Sequence, residues 1–324
     1  MLEQISPLWD VYLKHKKNGQ ALVLVTLVNT TGSSYKKAGA MMLIEADQTT
    51  HGLISGGCLE ADVAEHSMAV FQTGKAIKLE YDLSDESIFG LGAGCDGSIQ
   101  LVLQLLTGDY LPFSGLNPLP DQAKDITLQI QSNENDEFPL GSFYLSSEDT
   151  LIEYPTGFFV SAHYPEKALR YQSAPKIAIC GAGVDVIPLI KLLHLLHWHI
   201  YLIDHRSGRL NQALYHPNTQ MNLVSMTTLN TSIKSENYDA VIIMSHNLEH
   251  DAAYLNYFVA TEVPWIGLLG PKRRRDKVLK KAGINIKNIK AQLHAPVGLD
   301  LGGQMPENIA VSIVAQLQQH IYQK

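Results

Sequence analysis

Two short stretches of this chain put reactive and access-giving residues side by side. In HGLISGGCLEADV (51–63) Cys58 follows the glycine pair Gly56 and Gly57, and the carboxylate of Glu60 stands two residues further on. Glycines let a backbone approach a bound group closely, and a cysteine that is a thiolate is both a nucleophile and a soft metal ligand. A helix opening after Gly57 would favour the thiolate of Cys58 through its amide dipoles. Glu60 in that first turn could accept hydrogen bonds or take a proton, which makes Cys58 and Glu60 the two candidates for a catalytic role. The plainer alternative is a turn leading into a buried thiol, because free cysteine is among the most buried residue types. A second glycine-flanked cysteine, Cys95, lies in GLGAGCDG (90–97). GSSY (32–35), with Lys36 and Lys37 behind it, adds hydroxyls and positive charge suited to an anionic group. A small anionic ligand with a soft, sulfur-compatible centre fits this set.

The other stretch is PKIAICGAGVDVIP (175–188), an apolar strand that ends in Gly-x-Gly and opens a helix. There Gly181 allows a tight turn, and Gly183 lets a phosphate reach amides at the helix start. The third glycine of the dinucleotide fingerprint would fall at position 186, which is Val186. Asp204 closes the next strand, 23 residues after Gly181, in the region of the usual ribose-binding acid. An NAD(P)-dependent oxidoreductase is therefore one reading, with the missing glycine against it. SHN (245–247) and LLGPKRRR (268–275) also lie just past strands, where open α/β sheets bind ligands. Arg273, Arg274 and Arg275 could grip phosphate with forked donors, or form a solvated helix face. His194 and His197 are three apart, but neither carboxylate nor cysteine accompanies them at ligand spacing, so structural or exposed roles are expected.

These residues need two kinds of scaffold. Of 324 residues, 45% are hydrophobic and 18% charged, which supports sizeable cores and suggests two domains. The formal net charge of -7 argues against nucleic acid or an anionic membrane as partner. The opening MLEQISPLWDVYLKHKK reads as an amphipathic helix rather than a signal peptide, and no apolar run is long enough for a membrane span. Three separated cysteines make no CxxC pair and no disulfide framework, so a cytoplasmic protein with reduced thiols is expected. Residues 1–165 read as an α+β domain: strands at 21–30, 41–47, 76–83 and 98–106, and a helix in which Ala64, Met68 and Phe71 share a face. Short β-like runs (ITLQIQ, SFYLSS, TLIEY, GFFVSA) complete it, with a linker near 164–174. Residues 174–324 alternate strands and helices, the pattern of a doubly wound parallel sheet of Rossmann type. That domain closes with PENIAVSIVAQLQQHI, where Ile309, Ile313 and Leu317 make one face. The whole is an α/β protein.

The motifs TGSSYKKAGAMMLI, GLISGGCLE, GLGAGCDGSIQLVL, IAICGAGVDVIPLI with HIYLIDHR, VIIMSHN, WIGLLGPKRRR and HAPVGLDLGGQMPENIAVSIVAQL together resemble the xanthine dehydrogenase accessory family, often called XdhC/CoxI. They follow the family order across nearly the whole chain. The chain departs from the family's habit at Lys36 and Lys37, where arginine is frequent, at Val184, where many members carry histidine, and at Pro271, where serine is common. The resemblance implies a maturation chaperone rather than a metabolic enzyme. Such a protein binds the molybdenum cofactor, a molybdopterin with or without an added nucleotide, and shields it while a cysteine desulfurase installs a sulfido ligand. It then passes the cofactor to a xanthine dehydrogenase-type hydroxylase. By position, the implied cofactor-binding residues are Gly56, Gly57, Cys58 and Cys95 in the first domain, with Glu60 beside them. In the second they are Gly181, Gly183, Asp204 and Arg206. Cys58 is the residue implied to meet molybdenum, and a homodimer is the implied assembly. A docking scaffold with buried cysteines is the remaining reading.

Overall fold

The computed structural model describes residues 4–83, 97–117, 125–133, 139–147, 150–151, 167–227, 229–233 and 238–323. The chain forms two compact units, Met1–Ala174 and Pro175–Lys324.

In the first unit, helix α1 (Ser6–Asn18) has proline in its first turn and stops at Gly19, which takes the left-handed conformation. Five antiparallel strands follow, β1 (Leu22–Gly32), β2 (Met41–Ile44), β3 (Thr50–Gly52), β4 (Ile77–Asp82) and β5 (Gly97–Leu106), in the order β3-β2-β1-β5-β4. Strand β1 is central and apolar on both faces because both are covered. Val23, Val25 and Leu27 pack under helix α2 (Glu60–Thr73). Leu22, Leu24 and Val28 instead join Leu8, Trp9 and Tyr12 of α1. That second cluster also takes in Leu128 and Leu169 of a four-stranded antiparallel sheet. Its strands are β6 (Ile126–Ile130), β7 (Phe143–Ser147), β8 (Thr150–Leu151) and β9 (Lys167–Tyr171), in the order β8-β7-β6-β9.

Two expectations are corrected here. The segment read as a linker contains β9, paired antiparallel with β6 from Ile126↔Tyr171 to Ile130↔Lys167. The buried face of α2 is Val63, Ala64, Ser67 and Val70, while Met68 and Phe71 are only half-buried. Ser67 enters this face because its hydroxyl donates to the Ala64 carbonyl at 2.6 Å and needs no solvent. The GFFVSA run lies outside the described residues.

The second unit holds six parallel strands, β10 (Lys176–Cys180), β11 (His199–Asp204), β12 (Gln220–Leu223), β13 (Ala240–Ile243), β14 (Trp265–Leu268) and β15 (Gln292–His294). Their spatial order β12-β11-β10-β13-β14-β15 is that of the dinucleotide-binding fold. Alternate strand residues feed two cores. On one face, helices α3 (Val186–Leu195) and α6 (Pro306–Tyr322) cover Ile177, Ile179, Ile200 and Leu202. On the other, α4 (Leu248–Val259) and α5 (Lys272–Ala282) cover Ala178, Cys180, Ile203 and Val241. The order reverses between β10 and β13, so the loops after these strands flank the crevice where such sheets take ligands. Among the described residues, no helix is long and apolar enough to cross a membrane.

Candidate functional site

The cysteine turn of the first unit is built around Glu60. Its carboxylate is buried, and four donors of the same turn converge on it. Oε1 accepts from the amides of Ile54 (3.1 Å) and Ser55 (2.8 Å), while Oε2 accepts from the Ser55 hydroxyl (2.5 Å) and the Leu59 amide (3.2 Å). Burial works to raise this carboxyl, but the bonds from Ser55 and the neighbouring amides outweigh it and hold it below the ordinary value. Glu60 is thus an ionised brace. Ser55 is the second centre of the turn: its oxygen also accepts from the amides of Gly57 (3.2 Å) and Leu59 (3.2 Å), and the Cys58 thiol lies 3.6 Å away. Gly57 takes a φ of +106°, a conformation that L side chains rarely adopt. Among the described residues, a Cβ on Gly56 or Gly57 would meet nothing within 4 Å, so both glycines border open space there.

Cys58 itself is half-buried and rests on the edge of the core under α2. The helix opens at Glu60 with Leu59 as its N-cap, not directly after Gly57, so Cys58 precedes it. The turn fixes the backbone that carries the thiol, which donates to the Ser55 oxygen. Cys95 lies outside the described residues.

In the second unit the GAG loop is tied to the end of β11. Gly181 presses against the segment just after β13: a Cβ there would lie 2.6 Å from the Met244 carbonyl and 2.7 Å from the Ser245 Cα. Asp204 is 1% exposed and fully used. Its Oδ2 accepts from the Ala182 amide (2.7 Å) and an Arg206 terminal nitrogen (2.8 Å), and its Oδ1 from the amide (2.8 Å) and Nε (2.9 Å) of Arg206. Burial pushes Asp204 up, but the Arg206 side chain and these amides bring it down to about 2. The expected ribose acceptor is therefore filled by Arg206 and by the loop itself. Val186 opens α3 with its side chain fully buried in the core, which explains why a glycine is not needed there.

The far side of the crevice is the Ser245–Asn247 segment. Asp251 in the first turn of α4 accepts from the Ser245 amide (3.1 Å) and hydroxyl (2.5 Å) and pairs with Arg274 at 2.6 Å. Asn247 caps α4 through the amides of Glu249 (2.9 Å) and His250 (3.1 Å). His246 reaches back to Asp185, the N-cap of α3, with Nε2 at 2.7 Å from Oδ2. Of the arginines expected to grip phosphate, Arg274 is thus committed to Asp251, Arg275 to Asp276 at 2.7 Å, and Arg273 is exposed. His194 contacts the Thr219 hydroxyl at 2.9 Å, and burial beside His216 lowers it to about 4. Among the described residues no group of three or more His, Cys, Asp or Glu side chains could hold a metal ion. Sequence reasoning reached His246 only as part of SHN (245–247), and missed Ser55, Asp185 and Asp251. Only Asp185 carried a signal, an N-cap residue type where a helix opens.

A model described as "XdhC Rossmann domain" matches residues 177–317, and one described as "XdhC and CoxI family" matches residues 15–82. A protein of Bacillus subtilis (strain 168) named as a probable xanthine dehydrogenase subunit is 27% identical over 315 residues, covering 91% of this chain and 92% of that protein. The molybdenum cofactor insertion chaperone PaoD of Escherichia coli (strain K12) is 22% identical, over 93% of this chain and 83% of its own length. A crystal structure of a xanthine dehydrogenase from Bacillus halodurans superposes with a TM-score of 0.80 at 25% identity, covering 97% of this chain and 96% of that one.

Proposed function

Because this chain belongs to the XdhC/CoxI family of xanthine dehydrogenase accessory proteins, we propose that it is a molybdenum cofactor chaperone. Its cargo is a molybdopterin carrying molybdenum on a dithiolene. The cysteine turn of the first unit offers a soft ligand for the metal, and the crevice of the second unit suits a phosphate or nucleotide group. The protein protects the cargo while a cysteine desulfurase supplies sulfur, and delivers it to a xanthine dehydrogenase-type hydroxylase, working in the cytoplasm as a homodimer.

The observation that carries this reading is the braced turn. Glu60 and Ser55 are consumed in holding the backbone, and Cys58 is half-buried with its thiol donating to the Ser55 oxygen at 3.6 Å, beside two glycines that border open space. Soft ligation at a fixed position follows from that geometry, and binding, sequestration and transfer require no more. An NAD(P)-dependent oxidoreductase is poorly supported, because the acid that would read the ribose already has four donors of its own.

The test is retention of molybdopterin on gel filtration after incubation with the purified chain. The native protein should co-elute with the cofactor and Cys58→Ala should retain markedly less. Equal retention by the variant removes Cys58 from the site, and no retention by the native chain sinks the chaperone reading.

A further inference from the structure

The second glycine of a strand–Gly-x-Gly–helix turn is useful because nothing stands over it, so that a phosphate can settle on the amides of the helix start. In this chain something does. A Cβ built on Gly183 would collide with Oδ1 of Asp185, so the carboxylate lies over the glycine that should be open. Asp is a common N-cap residue because it accepts from amides of the first turn, but Asp185 makes no side-chain capping bond to α3. Its other oxygen instead reaches across the point where the strand order reverses, to Nε2 of His246 at 2.7 Å. His246 stands just past β13 with a φ of +61°. The side chains are 57% (His246) and 24% (Asp185) exposed, and ion pairs this open contribute little to folding.

We propose that Asp185 is an exchangeable stand-in for the ligand's phosphate. Its carboxylate holds the place of the anion over Gly183 and against His246 while the crevice is free. A phosphate or diphosphate group displaces it, takes over the amides at the start of α3, and pairs with His246. This inference rests on the reading that the second unit takes the phosphate or nucleotide end of the cargo, and adds the residues that regulate entry there. It also narrows the ligand. With Asp204 saturated and the outer edge of Arg206 offering only donors, the crevice favours phosphoryl oxygens over free ribose hydroxyls. Arrival of one anion must expel another, so the resting protein holds weakly binding anions at bay and yields to a multiply charged one.

Isothermal titration calorimetry of the full chain with inorganic pyrophosphate and with ADP tests this. Asp185→Asn removes the charge and keeps the shape, whereas Asp185→Ala empties the place. Both should bind pyrophosphate roughly tenfold more tightly than the native chain, the size expected when a like charge leaves a half-exposed anion site. Adding His246→Ala to Asp185→Ala should return the affinity towards the native value. Native-like affinity in both Asp185 variants, or no heat from any of the proteins at millimolar ligand, overturns the proposal. Should the alanine variant unfold, the isosteric asparagine decides alone. Molybdopterin retention measured in parallel separates the two readings. Tighter pyrophosphate binding in a chain that retains no molybdopterin leaves the stand-in correct and the chaperone reading wrong, and the converse leaves only the stand-in wrong.

Discussion

At the scale of single residues, the cysteine turn shows what residue type and spacing can and cannot disclose. Gly-Gly-Cys was legible because few structural needs place a thiol behind two glycines. Glu60 was legible as a carboxylate but not as a brace, since its role depends on four donors that only the closed turn brings together. Ser55 was invisible for the same reason. Two outcomes follow. Alkylation of the native chain, read by peptide mass spectrometry, should label Cys58, which is half-buried, and leave Cys180 untouched until denaturant is added. Cys180 is completely buried, and burial with the nearby acids Asp251 and Asp204 pushes its thiol well above the ordinary value, so it has neither access nor thiolate. A Cys58 as inert as Cys180 would favour the docking-scaffold reading. Glu60→Gln should destabilise the first unit by about 1–3 kcal/mol at neutral pH, because an amide would face backbone donors with its own donor group. The folded carboxyl of Glu60 lies below its ordinary value, so its contribution is complete above the ordinary carboxylate range and fades as pH falls through the lowered value. Urea denaturation of native and variant chains should therefore converge in acid, and a gap that persists unchanged there would contradict the brace.

At the scale of elements, the strand and helix patterns of the second unit were readable wherever an element lies inside the sheet. Strands β10, β11 and β13 are buried on both faces and appear as unbroken apolar runs. The sheet-edge strands β12 (QMNL) and β15 (QLH) were missed, because an edge strand with one wet face carries polar residues and is only a few residues long. The fingerprint glycine shows the reverse case. Its absence at Val186 was plain in the sequence, but its cause, a side chain fully buried in the core under α3, was not. Restoring the motif with Val186→Gly should accordingly cost about 2–3 kcal/mol through the lost core side chain. Thermal unfolding should show the loss, and NADH titration by fluorescence should show no gain in binding. A Val186→Gly chain that binds NADH at micromolar levels would revive the oxidoreductase reading. The Asp204 clamp joins the β11 loop to the GAG loop, and its carboxyl sits at about 2 in the folded chain against about 3.9 in an unfolded one. Its stabilisation, about 2–3 kcal/mol, is complete above about pH 5 and is lost as pH falls through the folded value of about 2. Asp204→Asn should thus be less stable than the native chain by that amount near neutrality and equal to it at the acid end.

At the scale of the whole molecule, the division into an α+β part and a parallel α/β part was legible because the period of the apolar pattern changes near residue 175. Its position was less so. The region read as a linker holds β9, which is only five residues long and alternates inward Leu169 and Tyr171 with more exposed residues, a pattern too short to stand out in the sequence. Among the described residues, each unit has buried clusters of its own. Those built on Ile5–Tyr171 and Val23–Leu103 belong to the first unit, and those built on Ile177–Leu317 and Ala178–Val278 to the second. All strand pairing of the six-stranded parallel sheet likewise lies within Pro175–Lys324. A segment of about 150 residues that closes two cores of its own buries enough surface to fold alone. Residues 175–324 expressed by themselves should therefore give dispersed proton NMR resonances and one cooperative urea transition by far-UV circular dichroism. The Asp204→Asn penalty should carry over to that fragment undiminished, because every donor to Asp204 comes from the same unit. An aggregated fragment, or one without a cooperative transition, would mean that the parallel sheet needs the first unit to fold.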